Sequence, residues 1–497
     1  MRSPASAVAA CAALLLTTAH ARAENAPESE AGPPKPPSEQ PPVPISSPIP
    51  TPPLAPVPGS REGRFQFGSY GRVMGAIDGR GGPGRNADIV AHGSRLDEST
   101  YVELELRRED QWDLPGDTNP VTTKIVTTVA IGDPLFHSSG KFEAKLAVRN
   151  LYLEERGIGG EGISVWVGSR MYRGDDAYLL DWWPLDNLNT VGGGVKLSLP
   201  TKTELAFHVG TNRLDDPFQY QTSPRPLPYG VGTADVAVLN RARVIESGRF
   251  EQIVPGVLFD KGGLKLVAYG ELHQLAAGQR ETQPGAYQDV PADHGYVAGV
   301  QLGAFTGDHD GHVNVFLRYA TGIAAYGGDF SVPYAVAADH SAKTAHEAIV
   351  AVSGNFETGP FALMAAGYFR SFRAATAEAM SFYDVDEGIV VLRPHVWFGD
   401  RTGIAVEGSY QRQQHGILDP ATEAPLTGSL WRFGVMPFLS PAGRGTYRRP
   451  HLRAIWVLTQ RDDGAKKLYP IDDPFSRRST EQFVGLEAEW WFNSSYR

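Results

Sequence analysis

The sequence predicts an all-β fold, a transmembrane antiparallel β-barrel of about 18 strands. Three observations support this prediction. A secretion signal opens the chain, residues 65–497 show strand and turn patterns throughout, and the last strand ends in aromatic residues close to the chain terminus. Together these features are typical of the barrels that bacteria insert into their outer membrane.

The composition of the 497 residues excludes several classes of protein. There are 55 Gly, 22 Phe, 19 Tyr, 9 Trp and a single Cys, and the mean hydropathy is -0.26. Beyond residue 20 no apolar run approaches the ~18 residues that a membrane-spanning helix needs, which excludes a helical membrane protein. One cysteine excludes a disulfide framework or a thiolate metal cluster. The net charge of -10, without a block of Lys or Arg, argues against nucleic acid as a partner.

Residues 1–23 have the features of a secretory signal peptide. Arg2 precedes an apolar run over residues 7–16, and residues 21–23 read Ala-Arg-Ala, an A-x-A cleavage site. An alternative interpretation is a lipoprotein signal, because residues 8–11 (VAAC) resemble a lipobox in which Cys11 would be acylated. That cleavage would leave an apolar core of only about six residues, so the sequence favours cleavage after Ala23.

A proline-rich segment follows over residues 24–61. Residues 27–58 hold 14 prolines in 32 positions, and residues 1–64 contain no aromatic side chain. Proline lacks an amide donor and fixes its own backbone angle, so we expect a hydrated polyproline II tether in the periplasm. The segment is a spacer or, alternatively, an arm that contacts the cell wall or a neighbouring protein. The barrel domain is predicted over residues 62–497.

Alternating residues define the predicted strands. In residues 101–107 (YVELELR), Tyr, Glu, Glu and Arg lie on one face and Val, Leu and Leu on the other. Residues 483–492 repeat the pattern, and their apolar face ends in aromatics. In a soluble sandwich the apolar face would be internal, whereas in a membrane barrel it contacts lipid. Closure of the barrel also pairs the edge strands of the sheet with each other. Roughly 17 to 19 strand-like segments are present, and the even-number rule selects 18.

Sequence motifs of enzymes and metal sites are mostly missing. HExxH, GxSxG and Walker motifs do not occur. Residues 157–162 (GIGGEG) fit GxGxxG, but an alternating strand follows them instead of a helix, which favours a hairpin turn. Residues 308–312 (DHDGH) lie between two strand-like runs, which favours a solvated turn over a metal site. The sequence therefore predicts a protein that is not an enzyme and has no cofactor.

Residues 171–190 (MYRGDDAYLLDWWPLDNLNT) form a segment that is too long for a hairpin turn, and long loops of this kind are usually functional. Apolar and acidic side chains are interleaved in it: Leu179, Leu180, Trp182 and Trp183 among Asp175, Asp176, Asp181 and Asp186. Apolar side chains this dense would not remain in water. We therefore expect the loop to fold into the barrel, pack its aromatic side chains on the wall, turn its carboxylates towards the channel and create a constriction.

Several blocks of the chain resemble the maltoporin-type carbohydrate porins, whose members are trimeric 18-stranded outer-membrane barrels. The blocks are GSYGRV at residues 68–73, SRLDESTYVELEL at 94–106, RNLYLEE at 149–155, VWVGSRMYRGDDAYLLDWWPLD at 165–186, YRRPHLRAIWVL at 447–458 and FVGLEAEWWF at 483–492. Residues 200–440 match only in strand rhythm. The resemblance implies a passive, sugar-selective homotrimeric channel in the outer membrane, with lipid around it and an oligosaccharide or disaccharide as its substrate.

In this family a row of lumenal aromatic side chains, the greasy slide, runs beside tracks of charged residues. The resemblance implies a slide formed by Tyr70, Tyr101, Tyr447 and Trp491. It implies polar tracks formed by Arg72, Arg95, Glu103, Arg149, Asp176 and Asp181. Trp183 takes the place of the family's constriction tyrosine, and Asp186 closes that motif. Strand parity agrees, because all four slide aromatics share a face with charged residues, whereas an aromatic anchored in the membrane interface would lie on the opposite face.

The sequence departs from the family pattern at three places. Gly174 stands where the inward loop has another arginine, with Arg173 beside it, and Gly311 or His312 replaces a slide aromatic. The chain also continues five residues beyond its last aromatic strand residue, Phe492. Phe136 corresponds weakly to an aromatic that a neighbouring subunit donates in this family.

Sugar transport suits these residue types. The apolar face of a pyranose stacks on an aromatic ring, while charged side chains exchange hydrogen bonds with its hydroxyl belt. Mixed charge favours neutral polyols, whereas a phosphate pore would need a cationic ladder. The alternatives are a general or anion-selective porin, a secreted β-rich glycan-binding protein, or a glycan hydrolase that uses Asp175 and Asp181 as paired carboxylates.

Overall fold

The computed structural model describes residues 63–113, 120–132, 145–308, 310–327, 333–376 and 382–494. The predicted signal peptide with Cys11, the whole proline-rich segment and Phe136 lie outside these residues. Within them, 18 antiparallel strands form one closed sheet, which confirms the predicted barrel and its strand number.

The strands, in chain order, are β1 (Arg64–Asp78), β2 (Tyr101–Trp112), β3 (Val121–Gly132), β4 (Lys145–Arg156), β5 (Ile163–Arg173), β6 (Asn187–Leu199), β7 (Thr203–Asn212), β8 (Tyr220–Pro226), β9 (Thr233–Asn240), β10 (Arg243–Pro255), β11 (Gly263–Leu275), β12 (Gly278–Gln283), β13 (Ala286–Val290), β14 (Asp293–Phe305), β15 (His312–Gly322), β16 (His346–Thr358), β17 (Phe361–Arg373), β18 (Val385–Trp397), β19 (Thr402–Leu418), β20 (Pro425–Leu439), β21 (His451–Arg461) and β22 (Thr480–Phe492). The hairpins β8–β9 and β12–β13 lie in loops, outside the barrel wall.

In the described residues, helical structure is limited to short segments. The helices are α1 (Asp463–Lys467) and α2 (Pro474–Arg477), and 3-10 turns occur at Arg95–Asp97, Tyr178–Leu180, Pro228–Gly230 and Ile323–Tyr326. In the described part of the chain, every helix is too short to cross a membrane.

The barrel closes where the first strand meets the last. β1 pairs antiparallel with β22, with Tyr70 opposite Trp491, and β1 pairs with β2 on its other side. β7 pairs with β10, and β11 pairs with β14, so the two loop hairpins do not interrupt the wall. Closure leaves no unpaired strand edge, which is what a β-structure needs in order to span lipid.

The two faces of the wall differ in the way that the alternation predicts. In β2 the side chains of Glu103 and Glu105 are 6% and 2% exposed, whereas those of Leu104 and Leu106 are 40% and 60% exposed. The charged residues therefore lie on the lumenal face of the wall, and the apolar residues lie on its outer face.

The connections at the two ends of the barrel differ in length. Most of the shorter connections lie at the end that carries the start of β1 and the end of β22, which we call the turn rim; the opposite end is the loop rim. Residues 157–162 form a turn at the turn rim, as predicted, with positive φ at Gly157 and Gly162. Asp308 and Asp310 belong to another such turn, where Lys261 lies 3.3 Å from Asp308. Among the described residues, no group of three or more His, Cys, Asp or Glu is placed to hold a metal ion.

Two of the connections from the loop rim pack against each other inside the barrel. The inward loop is residues 174–186, which is shorter than the predicted 171–190 because β5 and β6 remain paired up to Arg173 and Asn187. The first loop, residues 79–100, also enters the lumen, where Ile89 and Val90 are buried in the same apolar cluster as Leu179 and Trp182. The two loops fill part of the lumen and leave cavities beside them.

Candidate functional site

A cavity of about 320 Å³ lies between the inward loop and the wall formed by β1, β2, β4, β5 and β22. We call it the central cavity. The residues of the predicted site that line it are Tyr70, Arg72, Tyr101, Glu103, Arg149, Asp181, Trp183 and Trp491. His92, Arg173, Trp182, Asn187 and Ser494 complete the lining.

Strand register brings three wall aromatics together. Tyr70 lies opposite Trp491 in the β1–β22 pair, and Arg72 lies opposite Tyr101 in the β1–β2 pair. Tyr70 and Tyr101 are thus diagonal neighbours on one face, a relation within reach of aromatic rings. The ring centroids of Tyr70 and Tyr101 are 6.1 Å apart, and those of Tyr70 and Trp491 are 6.5 Å apart with an interplanar angle of 24°. Each of the three side chains is partly exposed to the lumen.

Tyr178 of the inward loop continues this series to Tyr447. The centroid of Tyr178 lies 6.1 Å from that of Trp491 and 5.5 Å from that of Tyr447, which belongs to the turn between β20 and β21. We call these five residues the aromatic row: Tyr101, Tyr70, Trp491, Tyr178 and Tyr447. Tyr178 itself is 2% exposed, so it supports the row and offers little surface to a solute.

A second cavity, of about 810 Å³, opens at the turn rim. We call it the rim cavity. Tyr447 and Asp176 line it, together with Gly311 and His312, the two candidates for the position where the family pattern has an aromatic. The ring of His312 lies 6.0 Å from that of Tyr447. Trp491 lines both cavities, so the aromatic row connects the central cavity with the rim cavity.

The inward loop is anchored by apolar packing, as the sequence predicted. Leu179, Leu180 and Trp182 are 1%, 3% and 7% exposed and pack in one cluster with side chains of β11 and β15 to β18. The ring of Trp182 stacks on His92 at 4.3 Å and lies 5.0 Å from Tyr368. The loop therefore holds its position inside the lumen by burying its own side chains against the far wall.

His92 joins the two loops that enter the lumen. Its backbone N–H donates to the Tyr368 hydroxyl at 3.0 Å, and its ring stacks on Trp182. Burial, reinforced by the nearby Arg370 and Arg318 charges, lowers the pKa of His92 to about 3. The imidazole is therefore neutral at physiological pH.

Trp183 faces the central cavity next to a cation. It is half-buried, and the Arg173 guanidinium carbon lies 3.8 Å from its ring centroid. Arg173 also donates to the Asn187 side-chain oxygen at 2.6 Å. Arg173 thus brings a charge to the central cavity, although residue 174, the family's arginine position, is glycine.

Replacing Trp183 with Ala should raise single-channel conductance modestly and weaken the discrimination between solutes of different size. The change removes one ring from the central cavity and leaves the buried anchor of the loop in place. Single-channel recordings measure both properties. Trp431→Ala is the control, because Trp431 lies on the outer face and is 62% exposed. Equal effects of the two substitutions would contradict the placement of Trp183 in the channel.

The charged residues beside the aromatic row are paired with one another. Arg72 lies 2.7 Å from Glu98 and 3.3 Å from Asp181, and it donates to the Tyr70 hydroxyl at 3.0 Å. Arg95 donates to the same hydroxyl at 2.7 Å. The ion pairs and the Tyr70 hydroxyl therefore form one hydrogen-bonded group on the lumen wall.

Arg149 reaches the central cavity because of a β-bulge. In the β3–β4 pair, Thr128 lies opposite Asn150 and Val129 opposite Val148, so Arg149 is the extra residue. A bulge re-aims a side chain that regular pairing would point elsewhere. Arg149 lies 3.7 Å from Glu103, which also accepts a hydrogen bond from the Tyr101 hydroxyl.

Glu489 is a central acceptor that sequence reasoning did not single out. It is fully buried and accepts from Arg95 at 3.1 Å and from Arg449 at 2.7 Å, and it also pairs with Arg453. The Tyr178 hydroxyl donates to it at 3.0 Å. One carboxylate on β22 therefore ties the first loop, the inward loop and the turn before β21 to the wall.

Asp186 closes the base of the inward loop and is 1% exposed. It accepts from the Gly174 N–H at 2.9 Å and lies 3.4 Å from Arg249. Burial raises the pKa of Asp186. A Cβ at position 174 would lie 2.9 Å from the Asp186 carboxyl carbon, which accounts for glycine at this position. Asp186 shapes the loop, whereas Asp181 and Trp183 line the cavity.

Comparison with known proteins gives one family match. The family model described as LamB porin matches residues 65–492. No curated protein sequence matches the chain.

Solved structures to which the chain is similar include three bacterial proteins. OccAB1 of Acinetobacter baumannii has a TM-score of 0.43 and 12% identity, with 86% of this chain and 97% of that chain covered. OccK2 of Pseudomonas aeruginosa, in complex with glucuronate, has a TM-score of 0.39 and 11% identity, with 86% and 98% covered. The trimer form of OmpT of Vibrio cholerae has a TM-score of 0.38 and 10% identity, with 87% and 100% covered.

Proposed function

Because the chain belongs to the LamB porin family, and is thus a channel of the Gram-negative outer membrane, we propose that it is a passive, sugar-selective channel and not an enzyme. The observation that supports this proposal best is the aromatic row on one side of the lumen, flanked by ion-paired Arg, Asp and Glu side chains. In an outer-membrane barrel the short turns face the periplasm. Sugar would therefore enter from the loop rim and leave through the rim cavity.

The proposed mechanism uses many weak contacts. Tyr101, Tyr70 and Trp491 offer ring faces to the apolar face of a pyranose, each worth about 1 kcal/mol beyond simple burial. Arg72, Glu103 and the residues paired with them exchange hydrogen bonds with the hydroxyl belt. A series of similar contacts lets a sugar move from one ring to the next without a deep energy minimum, which conduction requires.

Charge pairing favours sugars over anions as the substrate. Arg72 is bound to Glu98 and Asp181, Arg149 lies beside Glu103, and Arg95 is bound to Glu489. An anion-selective pore would instead present a ladder of cations to the lumen. We propose a neutral oligosaccharide or disaccharide as the substrate. The alternative is a general or anion-selective porin.

Liposome swelling tests this proposal. Vesicles that contain the protein are placed in isotonic solutions of neutral disaccharides, amino acids or organic anions of similar size. We expect disaccharides to enter several-fold faster than the other solutes, because only sugars combine a flat apolar face with a hydroxyl belt. Equal rates for solutes of equal size would identify a general porin, and faster anions would identify an anion-selective one.

We also propose that three chains assemble into a homotrimer, as in the family, with residues 24–61 as a periplasmic tether of each subunit. Deleting residues 27–58 should leave the trimer and sugar binding intact, because a polyproline segment buries no apolar surface. Gel mobility of unheated samples and current block by sugars compare the deletion with the full chain. Loss of the trimer in the deletion would show that the tether has a structural role.

A further inference from the structure

We infer that the turn after the last strand, Asn493 and Ser494, is a specificity element that borders the sugar path where it leaves the central cavity. The effect on sugar block rests on the proposed function, whereas the effect on ion conductance is independent of the proposed function. The starting point is the pair of described residues that follow Phe492. Neither Asn493 nor Ser494 belongs to β22.

The chain changes direction directly after β22. Asn493 has a φ of 48°, in the left-handed region that asparagine tolerates better than most residues. Its carbonyl oxygen accepts from Arg107 at 3.1 Å, and its side-chain amide donates to the Phe67 carbonyl at 3.3 Å. The turn is therefore fixed to β1 and β2 by hydrogen bonds.

Gly68 shows that the turn lies on the lumenal side of the wall. Gly68 shares strand parity with Tyr70 and Arg72, so a Cβ at this position would point into the lumen. That atom would overlap the Asn493 carbonyl oxygen, and it would lie 2.8 Å from the Asn493 carbonyl carbon and 3.2 Å from the Ser494 nitrogen. The backbone of the turn thus occupies the lumenal space that a side chain at position 68 would fill.

Ser494 places this turn on the sugar path. It is 8% exposed and lines the central cavity together with Tyr70, Tyr101 and Trp491. Gly68 is nearer to the turn rim than Tyr70, because β1 starts at that rim. A sugar that has passed Tyr70 and Trp491 therefore meets Asn493 and Ser494 next. The turn reduces the width of the passage at this point.

Two truncations test the inference. A chain that ends at Phe492 keeps all of β22 but lacks the turn, whereas a chain that ends at Ser494 keeps the turn and is the matched control. We expect the first to conduct ions about twofold better than wild type and to release blocking sugars faster, because its passage is wider. The second should match wild type in both properties. Equal conductance of both truncations and wild type would overturn the inference.

A substitution in the full-length chain covers the case in which the shorter chain fails to assemble. Gly68→Ala displaces the turn and leaves every ring of the aromatic row in place, so it should also change the conductance. Gly75→Ala is its control, because a Cβ at Gly75 on the same strand meets no atom within 4 Å. Conductance of Gly68→Ala at the wild-type level would contradict the inference. If wild type shows no sugar block, the proposed function fails, but the conductance comparison still decides the role of the turn.

Discussion

Replacing residues 175–186 with a short Gly/Ser turn should raise single-channel conductance several-fold and abolish discrimination between sugars of different length. The segment carries Leu179, Leu180 and Trp182, which are buried against the far wall, and Asp181 and Trp183, which line the central cavity. Its removal merges the space of the loop with the central cavity. Conductance responds strongly because the narrowest part of a channel dominates its resistance.

Two controls separate widening from misfolding. The variant must still run as a heat-modifiable barrel on gels, which shows that the wall has closed. Trp183→Ala should change conductance in the same direction but less, since it leaves the anchored loop in the lumen. Unchanged conductance on loop replacement would place the loop outside the ion path, and selectivity would have to come from wall residues alone.

Trp491→Ala should weaken current block by every sugar that blocks wild type, by about tenfold, and leave ion conductance the same or higher. Trp491 has the largest expected effect in the aromatic row because it lines both cavities. The Trp491 ring is stacked with the Tyr70 ring at a centroid distance of 6.5 Å. The Arg449 guanidinium carbon lies 4.0 Å from the Trp491 ring centroid. Its loss interrupts the row at the point where the two cavities meet.

Tyr101→Ala should have the same effect on a smaller scale, because Tyr101 lies at one end of the row and lines one cavity. Trp431→Ala on the outer surface should leave block constants at the wild-type value. Block constants within twofold of wild type in both Trp491→Ala and Tyr101→Ala would show that the aromatic row does not guide the sugar.

Much of the fold could be predicted from the sequence because strands have a period of two. Parity alone assigns Glu103 to the lumen and Leu104 to the outer face of the wall, and the exposed fractions of the two residues agree. The burial of Leu179, Leu180 and Trp182 was also predictable, since apolar side chains at that density need cover. These features depend on residues close together in the sequence.

Features that depend on distant pairs could not be predicted in this way. The entry of the first loop into the lumen depends on contacts such as His92 with Tyr368, and the strand pattern has no signal for them. Parity places Glu489 in the lumen but does not identify Arg95 and Arg449 as its partners. The bulge at Arg149 changes local register, and only the pairing of β3 with β4 reveals it.

Tyr178 was missed as a member of the aromatic row for a related reason. It lies within the predicted inward loop, but its position between Trp491 and Tyr447 depends on how the loop crosses the lumen. The short sequence YLLDWW indicates that the loop is buried. It does not indicate which of its rings meets the wall.

The most direct test of the account is the titration of single-channel ion current in the wild-type protein with a panel of neutral mono-, di- and oligosaccharides. If sugars move along the aromatic row beside paired charges, each blocking sugar should interrupt the current reversibly and saturably. Longer sugars, which contact more rings of the row, should block the current at a lower concentration. An ion current that stays constant at every concentration of every sugar would contradict the account.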